Sequence, residues 1–129
     1  ALPPKTAALL RRAVLKTVGR RRVVTLAVLG AAGMARLNRR FLRHRGPTDV
    51  LAFPAGPGDP SNLLGEVAVC PAAARREAKA RGIDWREELA RYAIHGCLHL
   101  LGYDDHAPEK RRRMWRRQER ILASLKHLK

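Results

Sequence analysis

Three of the five histidines fall in one stretch, His95-Gly96-Cys97-Leu98-His99-Leu100-Leu101-Gly102-Tyr103-Asp104-Asp105-His106. Residues four apart on a helix share a face, with Cβ atoms about 5–6 Å apart, so the imidazoles of His95 and His99 can meet at a single ion. A third donor has to come from outside the helix. Gly102 provides for it, because glycine permits the positive-φ turn that folds His106 back over the same face. Three neutral imidazoles around a tetrahedral zinc leave one position open for water, as in catalytic zinc sites and unlike closed structural ones. The plainer alternative makes His95 a core histidine, His99 an incidental neighbour and His106 the N-cap of the last helix. The spacing, with a glycine at the required break, favours one zinc per chain, although imidazole also suits nickel and copper. His44 and His127 have no such company and read as surface residues.

The proton acceptor is less obvious. A zinc peptidase of the His-Glu-x-x-His kind carries its base directly after the first histidine, where this chain has Gly96, and peptide hydrolysis is disfavoured accordingly. Asp104, Asp105 and Glu66 are the candidate catalytic carboxylates, each with a plainer task as a cap or turn residue.

These side chains need a scaffold, and its elements are readable from periodicity. Leu10, Val14 and Val18 predict a buried stripe on a helix over Thr6–Val18, ended by Gly19. Arg22–Leu29 reads as a strand. Met34, Leu37 and Phe41 predict a helix over Ala31–Arg43, stopped by Gly46-Pro47. Thr48–Phe53 and Leu63–Cys70 read as strands around a mobile loop at Ala55–Asn62, rich in Gly and Pro. Pro71 in first helical position and Gly82 after Arg81 bracket a third helix. Asp84 and Glu87 resemble a capping box for a fourth, whose stripe runs through Trp85, Leu89, Tyr92 or Ala93, and Gly96 to Leu101. Pro108 opens a last helix with Met114, Ile121, Leu125 and Leu128 inward, and with Arg111, Arg112, Arg113, Arg116, Arg117 and Arg120 toward water. The expected fold class is α+β: one domain, a small mixed sheet packed against several helices, and the metal site on a helix and its following turn.

Composition narrows the class of partner. The chain has 129 residues, room for a single domain, and its 46% hydrophobic content can build a core. Lys and Arg number 27 against 11 Asp and Glu, a formal charge of +16 spread from Arg11 to Lys129. Such a surface attracts polyanions, nucleic acid above all, since each phosphate contact releases counterions. An Arg-favouring, high-GC genome would also raise the count. Cys70 and Cys97 form neither a disulfide framework nor a Cys-x-x-Cys pair, and read as buried thiols in a reducing compartment. No apolar run reaches the roughly 18 residues of a membrane span and no signal peptide opens the chain, which points to the cytoplasm and away from membranes.

The histidine stretch is similar to the signature of the YbeY endoribonucleases, also known as rRNA maturation factors. Leu37-Asn38 with Phe41, the block Pro47-Thr48-Asp49-Val50-Leu51-Ala52-Phe53-Pro54 and the strand Leu64-Gly65-Glu66-Val67 resemble the family's other motifs, so the likeness runs from about Val23 to the last helix. The resemblance implies a zinc ion held by His95, His99 and His106, cleavage of single-stranded RNA, and work on the 3′ end of small-subunit (16S) ribosomal RNA and in ribosome quality control. Members usually have one Asp between the Tyr and the third His; Asp104 and Asp105 lengthen this spacer by one. The family's Arg after the aromatic of the Leu-Asn block is Leu42 here. Arg40 or Arg43 is the candidate replacement for RNA binding, although each adjacent position turns about 100° around a helix. The strand that usually precedes the first helix is also missing. A non-catalytic ribosome-assembly factor, stiffened by zinc and binding ribosomal RNA through its charge, is the rival reading.

Overall fold

The computed structural model of the chain describes residues 2–41, 50–56 and 62–126, without the side chains of residues 40 and 41. Its order is α1 (Pro4–Val18), β1 (Val23–Val28), α2 (Ala31–Phe41), β2 (Val50–Pro54), β3 (Leu63–Val69), α3 (Pro71–Arg81), α4 (Trp85–Leu100) and α5 (Pro108–Lys126). This is the expected α+β arrangement. The sheet runs β1-β3-β2, with β3 parallel to β1 and antiparallel to β2. Residues 42–49 and 57–61, which include Arg43, His44, the expected start of β2 and most of the Gly- and Pro-rich loop, lie outside the described residues, as do His127 and Leu128.

α4 is the organising helix. Its buried residues include Leu89, Ala90, Tyr92, Ala93, Ile94, Gly96, Cys97 and Leu98, and α1, α3, α5, β2 and β3 all pack against it. Asp84 caps it by accepting a hydrogen bond from the Arg86 amide at 2.9 Å, as its position before the apolar stripe suggests. Glu87, the other half of the expected capping box, is paired with Arg91 and Lys126.

The approach of α4 to the sheet is set by two glycines. A Cβ on Gly96 would lie 2.5 Å from Val67 Cγ1 and 3.0 Å from Val50 Cγ2. A Cβ on Gly65 would meet Leu100 Cδ2 at 2.7 Å and the Phe53 carbonyl oxygen at 2.4 Å. Position 96 therefore lacks a carboxylate for a packing reason: a glutamate there would have to enter the helix–sheet interface.

One expected stripe is rotated. Leu10 is buried in α1 as foreseen, but its companions are Thr6, Ala13 and Thr17, while Val14 and Val18 are only half-buried. Thr17 can turn inward because its hydroxyl donates to the Ala13 carbonyl at 2.7 Å, which satisfies its own polar group locally.

Gly96→Ala separates packing from helix propensity. Alanine in an exposed helix interior would stabilise by about 1 kcal/mol; here overpacking against Val67 and Val50 should reverse the sign, for a net loss of about 1–3 kcal/mol. Thermal and urea unfolding followed by circular dichroism reads that sign directly.

Candidate metal centre

His95 and His99 lie one helical turn apart on α4, on the side next to the sheet-facing stripe and turned toward α5. Their Nε2 atoms are 3.1 Å apart. Asp105 Oδ2 stands 3.9 Å from the first and 3.8 Å from the second. Donors bonded to one tetrahedral zinc at about 2.0–2.2 Å sit roughly 3.3–3.5 Å from each other, so this triangle needs only small adjustments to close around an ion.

The turn that delivers Asp105 is built as glycine predicts. Gly102 has φ of 98°, its amide donates to the His99 carbonyl at 3.0 Å, and the Tyr103 amide donates to the Leu98 carbonyl at 3.0 Å. Those two bonds form a Schellman closure, which ends α4 and reverses the chain. The residue that comes back over the histidines is Asp105. His106 sits one position farther, its side chain nine-tenths exposed and its Nε2 3.8 Å from Asp104 Oδ1. Asp104, Asp105 and His106 make a second group of donors, joined to the first through Asp105.

Asp104 has a structural task. Its Oδ1 accepts from the His106 amide at 2.7 Å, and that bond, with the nearby Lys110, holds its carboxyl below the ordinary value despite a small opposing effect of burial. Glu66 is exposed on β3. Since its neighbours Gly65 and Val67 face α4, strand alternation puts Glu66 on the other face of the sheet, away from the histidines. Arg40 belongs to α2, but its side chain and the whole of Arg43 fall outside the described residues.

Behind His95 stands a group that sequence periodicity did not single out. Gln118 is buried on the inner stripe of α5, between Met114 and Ile121. Its Oε1 lies 2.7 Å from His95 Nδ1, while its Nε2 donates to Glu119 Oε2 at 3.0 Å. Glu119 in turn accepts from Arg91 at 2.9 and 3.0 Å, and Arg91 also donates to buried Glu88, which Arg81 reaches at 3.2 Å. Directions now propagate along this chain. Arg91 and Glu119 fix a negative acceptor; the acceptor takes the amide N–H of Gln118; the amide oxygen therefore faces His95; and His95 must carry its proton on Nδ1. Its Nε2 lone pair is thereby turned to the shared point with His99 and Asp105. Burial chiefly, with His99 adding to it, lowers the His95 pKa against the opposing pull of Gln118 and Asp105, which keeps the ring neutral and available as a donor. Burial would raise the Glu119 carboxyl, but Arg91, Gln118 and Arg81 outweigh it and hold the pKa down. The Arg91 guanidinium is likewise held charged by Glu119 and Glu88 against its own desolvation.

The thiols take no part. Both cysteines are free and buried, and burial pushes Cys97 up to about 12.

A sequence model of the family described as Endoribonuclease YbeY matches residues 5–126. The Endoribonuclease YbeY of Parafrankia sp. (strain EAN1pec) is 41% identical over 132 residues, covering 92% of this chain and 83% of the relative. That of Chlorobium luteolum is 42% identical over 122 residues, covering 92% and 88%, and that of Frankia casuarinae 42% over 102 residues, covering 70% and 51%. A Thermotoga maritima protein solved in solution superposes with a TM-score of 0.64 at 29% identity, over 94% of this chain and 79% of its own.

Two measurements test the support of His95. Gln118→Leu should weaken metal affinity by about 10- to 100-fold, read by competition with a chelator, with little change in the far-ultraviolet spectrum. Glu119→Gln should lower stability above the carboxyl's ordinary value of 4.5. Because the folded pKa is depressed, the stabilisation is complete above that value and is lost as pH falls through the folded one. Urea midpoints of the two proteins should therefore differ at pH 7 and converge in acid.

Proposed function

Because this chain belongs to the endoribonuclease YbeY family, we propose that it is a zinc-dependent, single-strand-specific endoribonuclease. In this reading it is one catalytic domain working in the cytoplasm on 16S ribosomal RNA, in maturation of its 3′ end and in quality control of the small ribosomal subunit. The observation that carries the reading is the convergence of His95, His99 and Asp105 on one point. Zinc bound there supplies Lewis acidity at a phosphoryl oxygen.

Two imidazoles and a carboxylate with an open position form a recognised catalytic zinc set. Asp105 therefore takes the third place, and the residue added to the spacer moves His106 to the outside. Gln118 holds His95 in the donor tautomer, Gly102 sets the return of the chain, and Asp104 stiffens the turn. The formal charge of +16 favours a phosphate backbone as substrate.

One observation favours a second reading. Among the described residues, Asp104 is engaged in the turn, Asp105 is a metal donor and Glu66 stands across the sheet, so each candidate carboxylate has other work. A zinc-stabilised, non-catalytic ribosome-assembly factor would have the same features.

A metal analysis of protein purified without chelator, paired with digestion of single-stranded RNA, separates these readings. His99→Ala should lose stoichiometric zinc and all cleavage. Asp105→Ala should lose zinc and cleavage together, whereas His106→Ala should retain zinc. If intact, zinc-loaded protein binds ribosomal particles but cuts no RNA, the assembly-factor reading replaces the nuclease.

A further inference from the structure

Trp115 is 59% exposed on α5, in a chain with only two tryptophans. Leaving an indole in water forfeits the burial that ordinarily places this side chain. Its position is specific. Arg111, four residues before it, donates from Nε to the Asp105 carbonyl at 3.2 Å, and Gln118, three residues after it, holds His95. Residues three and four apart are neighbours on one helical face, so Trp115 stands between two side chains that touch the metal centre and forms part of its rim.

The charges around it have no carboxylate partner, as is common in a chain with 27 Lys and Arg against 11 Asp and Glu. The guanidinium groups of Arg81, Arg86 and Arg91 all have carboxylate partners. Arg112, Arg113, Arg116 and Arg120 are exposed and have no carboxylate within reach among the described residues. Arg112 and Arg116 lie on the flank of α5 next to Trp115. An exposed aromatic face beside free guanidinium groups, at the edge of a candidate metal centre, combines stacking with backbone neutralisation, the two contacts by which proteins hold single strands.

We propose that Trp115 is a base-stacking platform for single-stranded RNA, with Arg112 and Arg116 taking the phosphates on either side of the stacked nucleotide. This rests on the endoribonuclease reading and adds to it a route for the strand along the first half of α5. A base stacked on Trp115 would hold the strand at the rim of the group formed by His95, His99 and Asp105. Stacking accepts any base, so the platform implies selection for unpaired nucleotides and not for sequence.

Trp85→Phe leaves Trp115 as the single tryptophan, read by excitation at the red edge where tyrosine does not absorb; Trp85 itself lies against the Arg75 guanidinium, 4.2 Å from its ring centre. Titrating this variant with oligoadenylate should quench its fluorescence, whereas inorganic polyphosphate, which carries charge without bases, should not. Trp115→Ala should weaken oligoadenylate binding about tenfold without changing its salt slope, and Trp115→Phe should restore most of the loss. Arg112→Gln should instead lower the salt slope by about 0.7. Equal quenching by polyphosphate, or unchanged affinity in Trp115→Ala, would overturn the platform. A fluorescence change on protein dilution alone would assign the face to a second copy of the chain and also overturn it. If zinc-loaded protein cuts RNA while Trp115 stays silent, this inference fails and the enzyme stands; if Trp115 is quenched but nothing is cut, the converse holds.

Discussion

The closeness of α4 to the central strand is the constraint on which the remaining geometry depends. With hydrogen atoms alone at Gly96 and Gly65, the helix settles against Val67 and Val50 and seats Leu100 over the sheet. That contact fixes the rotation of α4 about its own axis. One stripe is committed to the sheet, and the adjacent stripe, carrying His95 and His99, must then open toward α5 and the returning turn. A helix displaced outward or rotated by a single residue would lose either its core or its donor pair. Because interiors are packed to crystal-like density, such displacement has few low-energy alternatives.

Polarity is organised around the same helix in a graded way. Along the hydrogen-bonded relay the permanently charged Arg91, pinned by Glu119 and Glu88, is separated from His95 by Glu119 and Gln118. Gln118 is neutral and passes on only direction, through the orientation of its amide. His95 receives a defined tautomer without receiving a charge. An aspartate in place of Gln118 would be too short to span the same gap, and a lysine would present a donor where an acceptor is needed. The relay thus separates the cost of holding ions in a half-buried place from the requirement for a neutral nitrogen donor.

Much of this was legible in the sequence, and the omissions have physical causes. Element order followed from Pro, Gly and the spacing of apolar residues, and Gly102 with its positive φ was foreseen because few residues can reverse a chain after a helix. The buried face of α1 was misplaced by one position because periodicity ranks valine above threonine, while Thr17 can be buried with its hydroxyl satisfied by the Ala13 carbonyl. The reason for Gly96 lies on Val67 and Val50, distant in sequence and reached only through the fold. Gln118 did leave a signal, a lone amide within an apolar stripe, but its partner is 23 residues away. Local spacing placed His106 over the histidines, whereas the Schellman closure counts residues from Gly102 and brings Asp105 there first.

The burial of Cys97 has a consequence for the chemical durability of the centre. The thiol follows His95 by two residues, so the helix points it away from the imidazoles and into a dry core. Burial pushes its pKa up to about 12, which keeps the sulfur as the thiol at neutral pH. Peroxide and other soft electrophiles therefore meet no nucleophilic sulfur beside the nitrogen and oxygen donors. The donor set of His95, His99 and Asp105 thus rests on nitrogen and oxygen alone, with the neighbouring sulfur sealed in the core.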